Sequence, residues 1–310
     1  MRRPKTSARV LGLALLVPVM AGGILNSSAI AGPAVVSKDK TDALPDLKPG
    51  AGSFLFTGWA GKPLRVHYYL PDKVSETTRV LFVIHGAGRN ADGYRDAWIP
   101  YAQAGRYIVL TPEYSMADFP TALTFNVGHV FDEAGHPRLR EQWSFASIEP
   151  MFDLIRKATG TKVAKYAIYG HSAGGQFVHR FVELMPDARY TRAVAANPGW
   201  YTTPDLAVGY PYGLKNAPID EGGLKGVLAK PLTILLGTAD TDPNHHQLSR
   251  TPDAMKQGAY RLARGKYFYA YGQRVAQALH TPFAWKLEYA PDVAHSNTGM
   301  SQYAEKLVWQ

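Results

Sequence analysis

The amino-acid sequence predicts an α/β fold in which a mostly parallel central sheet is covered by helices on both faces. Short runs rich in β-branched and aromatic residues alternate with segments of helical periodicity along the chain. Such alternation is typical of parallel sheets, because each crossover helix returns the chain to the same edge. Hydrophobic residues make up 46% of the 310 residues, which is enough for one large core.

Eight segments have the composition of strands, and they are 54–56, 65–70, 79–85, 107–110, 165–169, 192–196, 231–236 and 283–289. Five segments have helical patterns, and they are 91–104, 145–158, 176–184, 253–280 and 301–309. Two longer stretches rich in Gly and Pro separate these elements. Residues 111–142 form a long excursion of the kind that often carries function, and 197–229 is expected to form a cap or rim. We therefore expect specificity to reside in these two stretches.

The first 31 residues have the features of an export signal. Four basic and no acidic residues come first, an apolar run follows, and Ala29-Ile30-Ala31 is a small-x-small cleavage site. A membrane anchor is the alternative, but the apolar run is short and contains several Gly and Pro residues. We expect cleavage after Ala31, a flexible leader over 32–50 and a catalytic domain over 51–310. The enzyme would then be periplasmic or secreted, with no stable membrane anchor.

Composition excludes several classes of protein. The chain has no cysteine, so it has neither disulfides nor thiolate metal sites. Without residues 1–31 the formal charge falls from +9 to +5, a mild excess that permits attraction to anionic substrates. The sequence shows no dense basic stripe and no familiar nucleic-acid-binding motif, so no nucleic-acid partner is expected.

Gly170-His171-Ser172-Ala173-Gly174 is the most informative stretch. It lies between a predicted strand and a predicted helix, and this arrangement resembles the nucleophile elbow of the α/β-hydrolases. A serine on so tight a turn presents its hydroxyl clear of the backbone, and side chains at the two glycine positions would crowd the turn. Ser172 is therefore the predicted nucleophile, and His171 is expected to point away from the site.

A serine nucleophile needs a base, and the base needs an orienting acid. In α/β-hydrolases the acid and then the base follow the serine along the chain. Asp240 follows the strand 231–236 and is the predicted acid, with Asp242 as the alternative. His295 follows the last predicted strand and is the predicted general base. Either aspartate also suits a structural role as a turn or helix cap.

Two other kinds of site fit the sequence poorly. Asp240, Asp242 and Asn244 occupy the first three ligand positions of a calcium loop, but His245 stands where that loop requires glycine. No metal and no cofactor are therefore expected, and His245-His246 is taken as a surface doublet. The glycines around Ala87 have the wrong spacing for a phosphate loop. We expect the amides of Ala87 and Ala173 to form the oxyanion hole.

The chain resembles the α/β-hydrolase superfamily, and the resemblance covers nearly all of 52–310. Within it, the chain resembles exported polyhydroxyalkanoate-depolymerase-like esterases and poly(aspartic acid) hydrolases. The resemblance is carried by residues 85–90, 170–175 and 237–240 and by the late His295. Many secreted polyester depolymerases have disulfides and a polymer-binding module, and this sequence shows neither.

The resemblance implies an exported serine hydrolase that cleaves carboxyl-ester bonds of small, oligomeric or polymeric substrates. An amide hydrolase acting on an acidic polymer such as poly(aspartic acid) is the first alternative, and an inactive binding protein is the second. Four aromatic residues are candidates for lining a substrate cleft or, alternatively, for core packing: Trp143, Trp200, Tyr201 and Tyr212. Three basic residues are candidates for binding carboxylates or, alternatively, for solvated surface: Arg89, Lys215 and Lys225.

Overall fold

The computed structural model describes residues 44–310, so the predicted signal peptide and most of the predicted leader lie outside the described residues. Eight strands form one sheet, and they are β1 Gly50–Phe56, β2 Leu64–Leu70, β3 Val80–Ile84, β4 Ile108–Glu113, β5 Tyr166–His171, β6 Tyr190–Ala196, β7 Leu232–Gly237 and β8 Lys286–Ala290. Their order is β1-β2-β4-β3-β5-β6-β7-β8. Only β1–β2 and β2–β4 pair antiparallel, and the other neighbours are parallel. The predicted α/β fold with a mostly parallel sheet is confirmed.

Helices cover both faces of this sheet, and they are α1 Ala91–Gly105, α2 Ile148–Thr159, α3 Ala173–Leu184, α4 Glu221–Leu228, α5 Pro252–Gln257, α6 Arg261–Ala278 and α7 Asn297–Leu307. The alternation of strand side chains divides the core into two apolar clusters. Val83 belongs to the cluster that contains Trp98 of α1 and Met300 of α7. Phe82 belongs to the other cluster, which contains Phe177 of α3 and residues of α2, α4 and α6. Within 44–310, no helix is both long and apolar enough to span a bilayer.

Several predicted boundaries are wrong. The continuous helix predicted over 253–280 is two helices, because the chain turns at Gly258, whose φ of +143° is accessible to glycine. The last helix begins at Asn297 rather than at residue 301, since the Ser296 side chain accepts a hydrogen bond from the Gly299 amide and caps it. The helix predicted from residue 145 begins at Ile148, after a short 3-10 turn.

The excursion 111–142 and the rim segment 197–229 meet above the carboxyl ends of the parallel strands. The Tyr210 hydroxyl donates to the Val127 carbonyl oxygen and joins the two segments directly. Arg180 of α3 is buried beneath both of them. Its guanidinium donates to the Asn126 carbonyl oxygen at 3.1 Å and to the Thr202 hydroxyl at 2.7 Å. The two segments expected to hold specificity are thus anchored to the helix that follows Ser172.

Gly174 permits a close approach between α3 and the end of β3. A Cβ atom at Gly174 would lie 2.0 Å from the Ile84 carbonyl oxygen, a main-chain atom that cannot move aside alone. We expect G174A to lower the free energy of unfolding by about 3 kcal/mol, measured by urea denaturation. G226A in α4 is the matched control, since a Cβ there meets no atom within 4 Å. Its expected effect is neutral to about 1 kcal/mol stabilising, and equal losses in both variants would contradict this steric account.

Candidate active site

Ser172 lies between β5 and α3 in a backbone conformation that few residues with a side chain adopt. Its φ is +58° and its ψ is −117°, and its amide donates to the Ala196 carbonyl oxygen at 2.9 Å. The turn is tight, because a Cβ on Gly170 would lie 2.2 Å from the Gly174 carbonyl oxygen. Steric crowding therefore explains why glycine occupies both positions of the predicted elbow. The strained serine projects from the carboxyl end of the sheet.

The structure brings Ser172, His295 and Asp240 together. His295 Nε2 lies 2.9 Å from Ser172 Oγ, and His295 Nδ1 lies 2.7 Å from Asp240 Oδ2. Asp240 follows β7 and His295 follows the neighbouring parallel strand β8, so both loops emerge at the same edge of the sheet. Asp242 is exposed, and its carboxylate accepts from the Asn244 amide in a local turn. Of the two candidate acids, only Asp240 reaches the histidine.

This geometry determines the tautomer of His295. An ionised Asp240 only accepts, so Nδ1 carries the proton and Nε2 is free to accept from the Ser172 hydroxyl. Burial lowers the pKa of His295, while the hydrogen bond to Asp240 acts in the opposite direction and raises it. The lowered pKa keeps the imidazole neutral at neutral pH, as a general base requires.

We expect kcat/KM to fall on the acidic side with a midpoint below 6.5, the ordinary histidine pKa. Only neutral His295 accepts a proton, so the loss approaches about tenfold per pH unit below that midpoint. The same group destabilises the fold in acid, because its folded pKa lies below its unfolded one and the unfolded chain binds more protons. Its stability contribution is full above 6.5 and is lost as pH falls. Initial rates between pH 4 and 9 would measure the limb, and a midpoint above 6.5 would contradict the assignment.

The loop after β3 lies beside the nucleophile. A Cβ built on Gly86 would lie 3.6 Å from Ser172 Cβ, so the main chain leading into Ala87 passes close to the serine. The amides of Ala87 and Ala173 donate to no acceptor within residues 44–310. Two N–H groups without an acceptor are the kind of donor that an oxyanion needs, and their role at Ser172 stays a prediction. His85 supports this loop from below, since its Nε2 accepts from the Tyr114 amide at 3.0 Å.

Arg89 does not stand free for a substrate. Its guanidinium donates to the carbonyl oxygens of Tyr114, at 3.0 Å, and Phe119, at 2.9 Å. It also lies over the Phe125 ring, 4.1 Å from the ring centroid. Arg89 therefore ties the loop after β3 to the excursion 111–142, and this structural role replaces the expected substrate contact. Its φ of +60° is part of the same turn.

The aromatic candidates separate into core and surface. Trp143 is 3% exposed and donates to the Arg138 carbonyl oxygen, and Tyr201 is 0% exposed and stacks on Phe268 at 4.5 Å. Both are core residues, which corrects the expectation that they line a cleft, since burial leaves them no surface to offer. Trp200 and Tyr212 pack against each other at 4.5 Å between ring centroids.

Trp200 and Tyr212 do line a cavity of about 520 Å³, which lies between the excursion and the rim segment. Lys215 lines it as well, with Asp132 and Glu133 on the other wall. The remaining basic candidate, Lys225, is engaged on the surface, where its ammonium group lies 2.7 Å from the Glu221 carboxylate. Trp200 therefore lines this cavity, whereas Lys225 does not.

Four residues near the triad were missed or misread in the sequence. His171 was expected to point away, yet its ring centroid lies 4.6 Å from that of His295, held by the Tyr94 hydroxyl at 3.0 Å. The His245 ring lies 5.1 Å from the His295 ring, so it is more than a surface histidine. Arg261 forms a buried ion pair with the acid.

The fourth of these residues is Asn197, which joins the two loops that carry the acid and the base. It follows β6 with a φ of +44°, a region that asparagine tolerates better than most residues. Its Oδ1 accepts from the Gly237 amide at 2.8 Å, and its Nδ2 donates to the Ala294 carbonyl oxygen at 3.4 Å. An asparagine directly after a buried strand is the only sequence signal for this role. Within 44–310, no group of three or more histidine, aspartate or glutamate side chains is placed to hold a metal ion.

Comparison with solved structures gives strong similarities. Poly(aspartic acid) hydrolase-1 from Sphingomonas sp. KT-1 is 81% identical, with a TM-score of 0.85 over 85% of this chain and 100% of that one. LpqC, a poly(3-hydroxybutyrate) depolymerase from Bordetella parapertussis, is 34% identical, with a TM-score of 0.79 over 84% of this chain and 90% of that one. An S-formylglutathione hydrolase from Agrobacterium tumefaciens shares the fold, with 16% identity and a TM-score of 0.55 over 84% of this chain and 94% of that one. No protein-family model and no curated protein matches the chain.

Proposed function

Because this chain belongs to the α/β-hydrolase family of poly(aspartic acid) hydrolase-1 and LpqC, and is therefore a hydrolase, we propose that it cleaves amide bonds of poly(aspartic acid). The observation that carries this choice is the 81% identity over the whole solved chain of poly(aspartic acid) hydrolase-1. Cleavage of carboxyl esters is the second candidate, and the 34% identity to a poly(3-hydroxybutyrate) depolymerase favours it. The larger identity reverses the order expected from the sequence, where the ester ranked first.

The proposed mechanism is two-step acyl transfer through Ser172. His295 Nε2 takes the hydroxyl proton while Oγ attacks the substrate carbonyl carbon. The amides of Ala87 and Ala173 stabilise the oxyanion that forms. His295 then gives the proton to the leaving amine, which departs as the carbonyl bond reforms. Water repeats the sequence on the acyl-enzyme and releases the acid, so no cofactor is needed.

The geometry of the site favours an enzyme over an inactive binding protein. The hydrogen-bond chain from Ser172 through His295 to Asp240 is continuous at 2.9 and 2.7 Å, which supports a working triad. A strained backbone at Ser172 supports the same conclusion, since such strain is maintained where it serves a function.

The experiment compares two substrates and one covalent probe on purified protein lacking residues 1–31. We expect poly(aspartate) to be shortened, as measured by size-exclusion chromatography, and a fluorophosphonate to label Ser172, as measured by peptide mass spectrometry. The S172A variant is the control for both readouts. Turnover of p-nitrophenyl esters without polymer cleavage would favour the ester candidate, and no labelling together with no turnover would favour the binding protein.

We also propose that the enzyme is exported and acts in the periplasm or outside the cell. The basic start, the apolar run and the Ala29-Ile30-Ala31 site support this proposal. A polymeric substrate supports it too, because a polyanion does not cross a lipid bilayer unaided. The mature protein is then expected to begin at Gly32, which mass spectrometry of the intact exported chain would measure. Recovery of the full-length chain in the cytoplasm alone would contradict it.

A further inference from the structure

Arg261 lies behind the triad and contacts its acid. It is the first residue of α6, and its Nη1 lies 3.4 Å from Asp240 Oδ1, on the oxygen opposite the one that His295 uses. The two side chains are 1% and 2% exposed. Each carboxylate oxygen of Asp240 therefore has its own charged or polar partner, and rotation of the carboxylate would break both contacts.

The main chain of the same helical turn holds Asp240 as well. The Leu262 amide, next to Arg261, donates to the Asp240 carbonyl oxygen at 3.2 Å. The acid therefore sits at the amino end of α6, where the helix dipole and free amides favour a negative charge. Burial of a guanidinium is costly, and a nearby buried carboxylate offsets that cost.

The second arm of Arg261 reaches a histidine beside the base. Arg261 Nη2 lies 3.2 Å from His245 Nδ1, and the Gln247 amide donates to the same nitrogen at 3.2 Å. Guanidinium and amide groups only donate, so Nδ1 is the acceptor and the neutral ring carries its proton on Nε2. The His245 ring centroid lies 5.1 Å from that of His295, and the residue is half-buried.

We propose that Arg261 is a positioning residue that acts on both sides of the base: it fixes Asp240 in the orientation that serves His295, and it fixes His245 as an Nε2–H donor for a carbonyl or carboxylate oxygen of the substrate. The inference rests on the proposed serine-hydrolase function and extends it to substrate contact. The contact of Arg261 with Asp240 governs kcat, because a misplaced acid misplaces the base. The contact of Arg261 with His245 governs KM.

Substitutions separate these two arms. We expect R261M to lower kcat about 10- to 100-fold, the usual effect of a small misplacement in an active site, and to raise KM. H245A is expected to raise KM while kcat changes less than about twofold, because it leaves the triad contacts intact. The double variant is expected to have the KM of R261M, because Arg261 acts on KM through His245. A double variant in which the separate effects of R261M and H245A on KM combine in full would show that Arg261 does not act on KM through His245.

The pH profile distinguishes positioning from mere stability. Burial is the main cause of the low pKa of His295; Arg261 and His246 lower it further, Asp240 raises it, and the His171 and His245 rings also face it. Loss of the Arg261 charge in R261M is therefore expected to move the acidic limb of kcat/KM to higher pH, while R261K leaves it in place. R264M is the matched control, since Arg264 is buried on the same helix but donates to carbonyl oxygens of Gly199 and Ser249.

All rates are normalised to the sites that a fluorophosphonate labels, which removes any loss from misfolded protein. An NMR titration of the His295 imidazole in wild type and R261M follows the same shift without turnover. If wild type neither labels nor turns over substrate, the proposed function fails, yet the titration still tests Arg261. Identical His295 titrations in wild type and R261M, with unchanged kcat per labelled site, would overturn the inference.

Discussion

S172A is expected to lower kcat by about 10⁶-fold relative to wild type, because loss of the nucleophile alone removes most of the work of a serine triad. No other hydroxyl in the described site accepts the role, since His295 Nε2 bonds to Ser172 Oγ and to no other side chain there. Rates on poly(aspartate) and on an activated ester would both be measured at equal protein concentration. A residual activity above about one per cent of wild type would remove Ser172 from the mechanism.

The same position makes a separate prediction on stability. Ser172 carries a side chain at φ +58° and ψ −117°, a combination that costs about 1–3 kcal/mol for residues other than glycine. S172A keeps this strain, whereas S172G releases it. We therefore expect S172G to be more stable than S172A by about 1 kcal/mol in urea denaturation, after the entropic cost of a glycine is deducted. An S172G variant less stable than S172A would show that the turn is not strained.

The proximity of Ser172, Asp240 and His295 was predictable because each residue follows a strand of obvious composition. Parallel strands carry their loops to one edge, so Ser172, Asp240 and His295 meet although 123 residues separate the serine from the base. The role of the elbow glycines was equally predictable, because the steric requirement for a residue without a side chain lies within five consecutive residues. For these residues, chain order and local pattern were enough.

The supporting contacts were not predictable, because nothing local distinguishes them. Arg261 begins a helix, where a basic residue gives no local signal of a contact, and only the tertiary fold brings it to Asp240, 21 residues away. Aromatic residues such as Trp143 and Tyr201 are typical both of binding clefts and of hydrophobic cores, and burial alone decides between these roles. The helix break at Gly258 was missed because the apolar pattern continues across it.

D240N is expected to lower kcat about 10⁴-fold, the second largest loss at this site. The amide group of asparagine donates as well as accepts, so it allows His295 to hold its proton on Nε2, where it blocks transfer from Ser172. It also leaves Arg261 buried without its anion, which costs stability as well as rate. Urea denaturation followed by circular dichroism measures the folded fraction and so separates the loss of stability from the loss of rate.

D242N is the matched control for this substitution. Asp242 lies two residues further along the same loop, is exposed, and bonds only to the Asn244 amide among the described residues. Asparagine retains that turn contact, so kcat is expected to stay within about twofold of wild type. The two variants differ by position alone, since each removes one negative charge from the loop. A large loss in D242N with near-normal D240N would exchange the roles of the two aspartates, and with them the partner that holds His295 in its working tautomer.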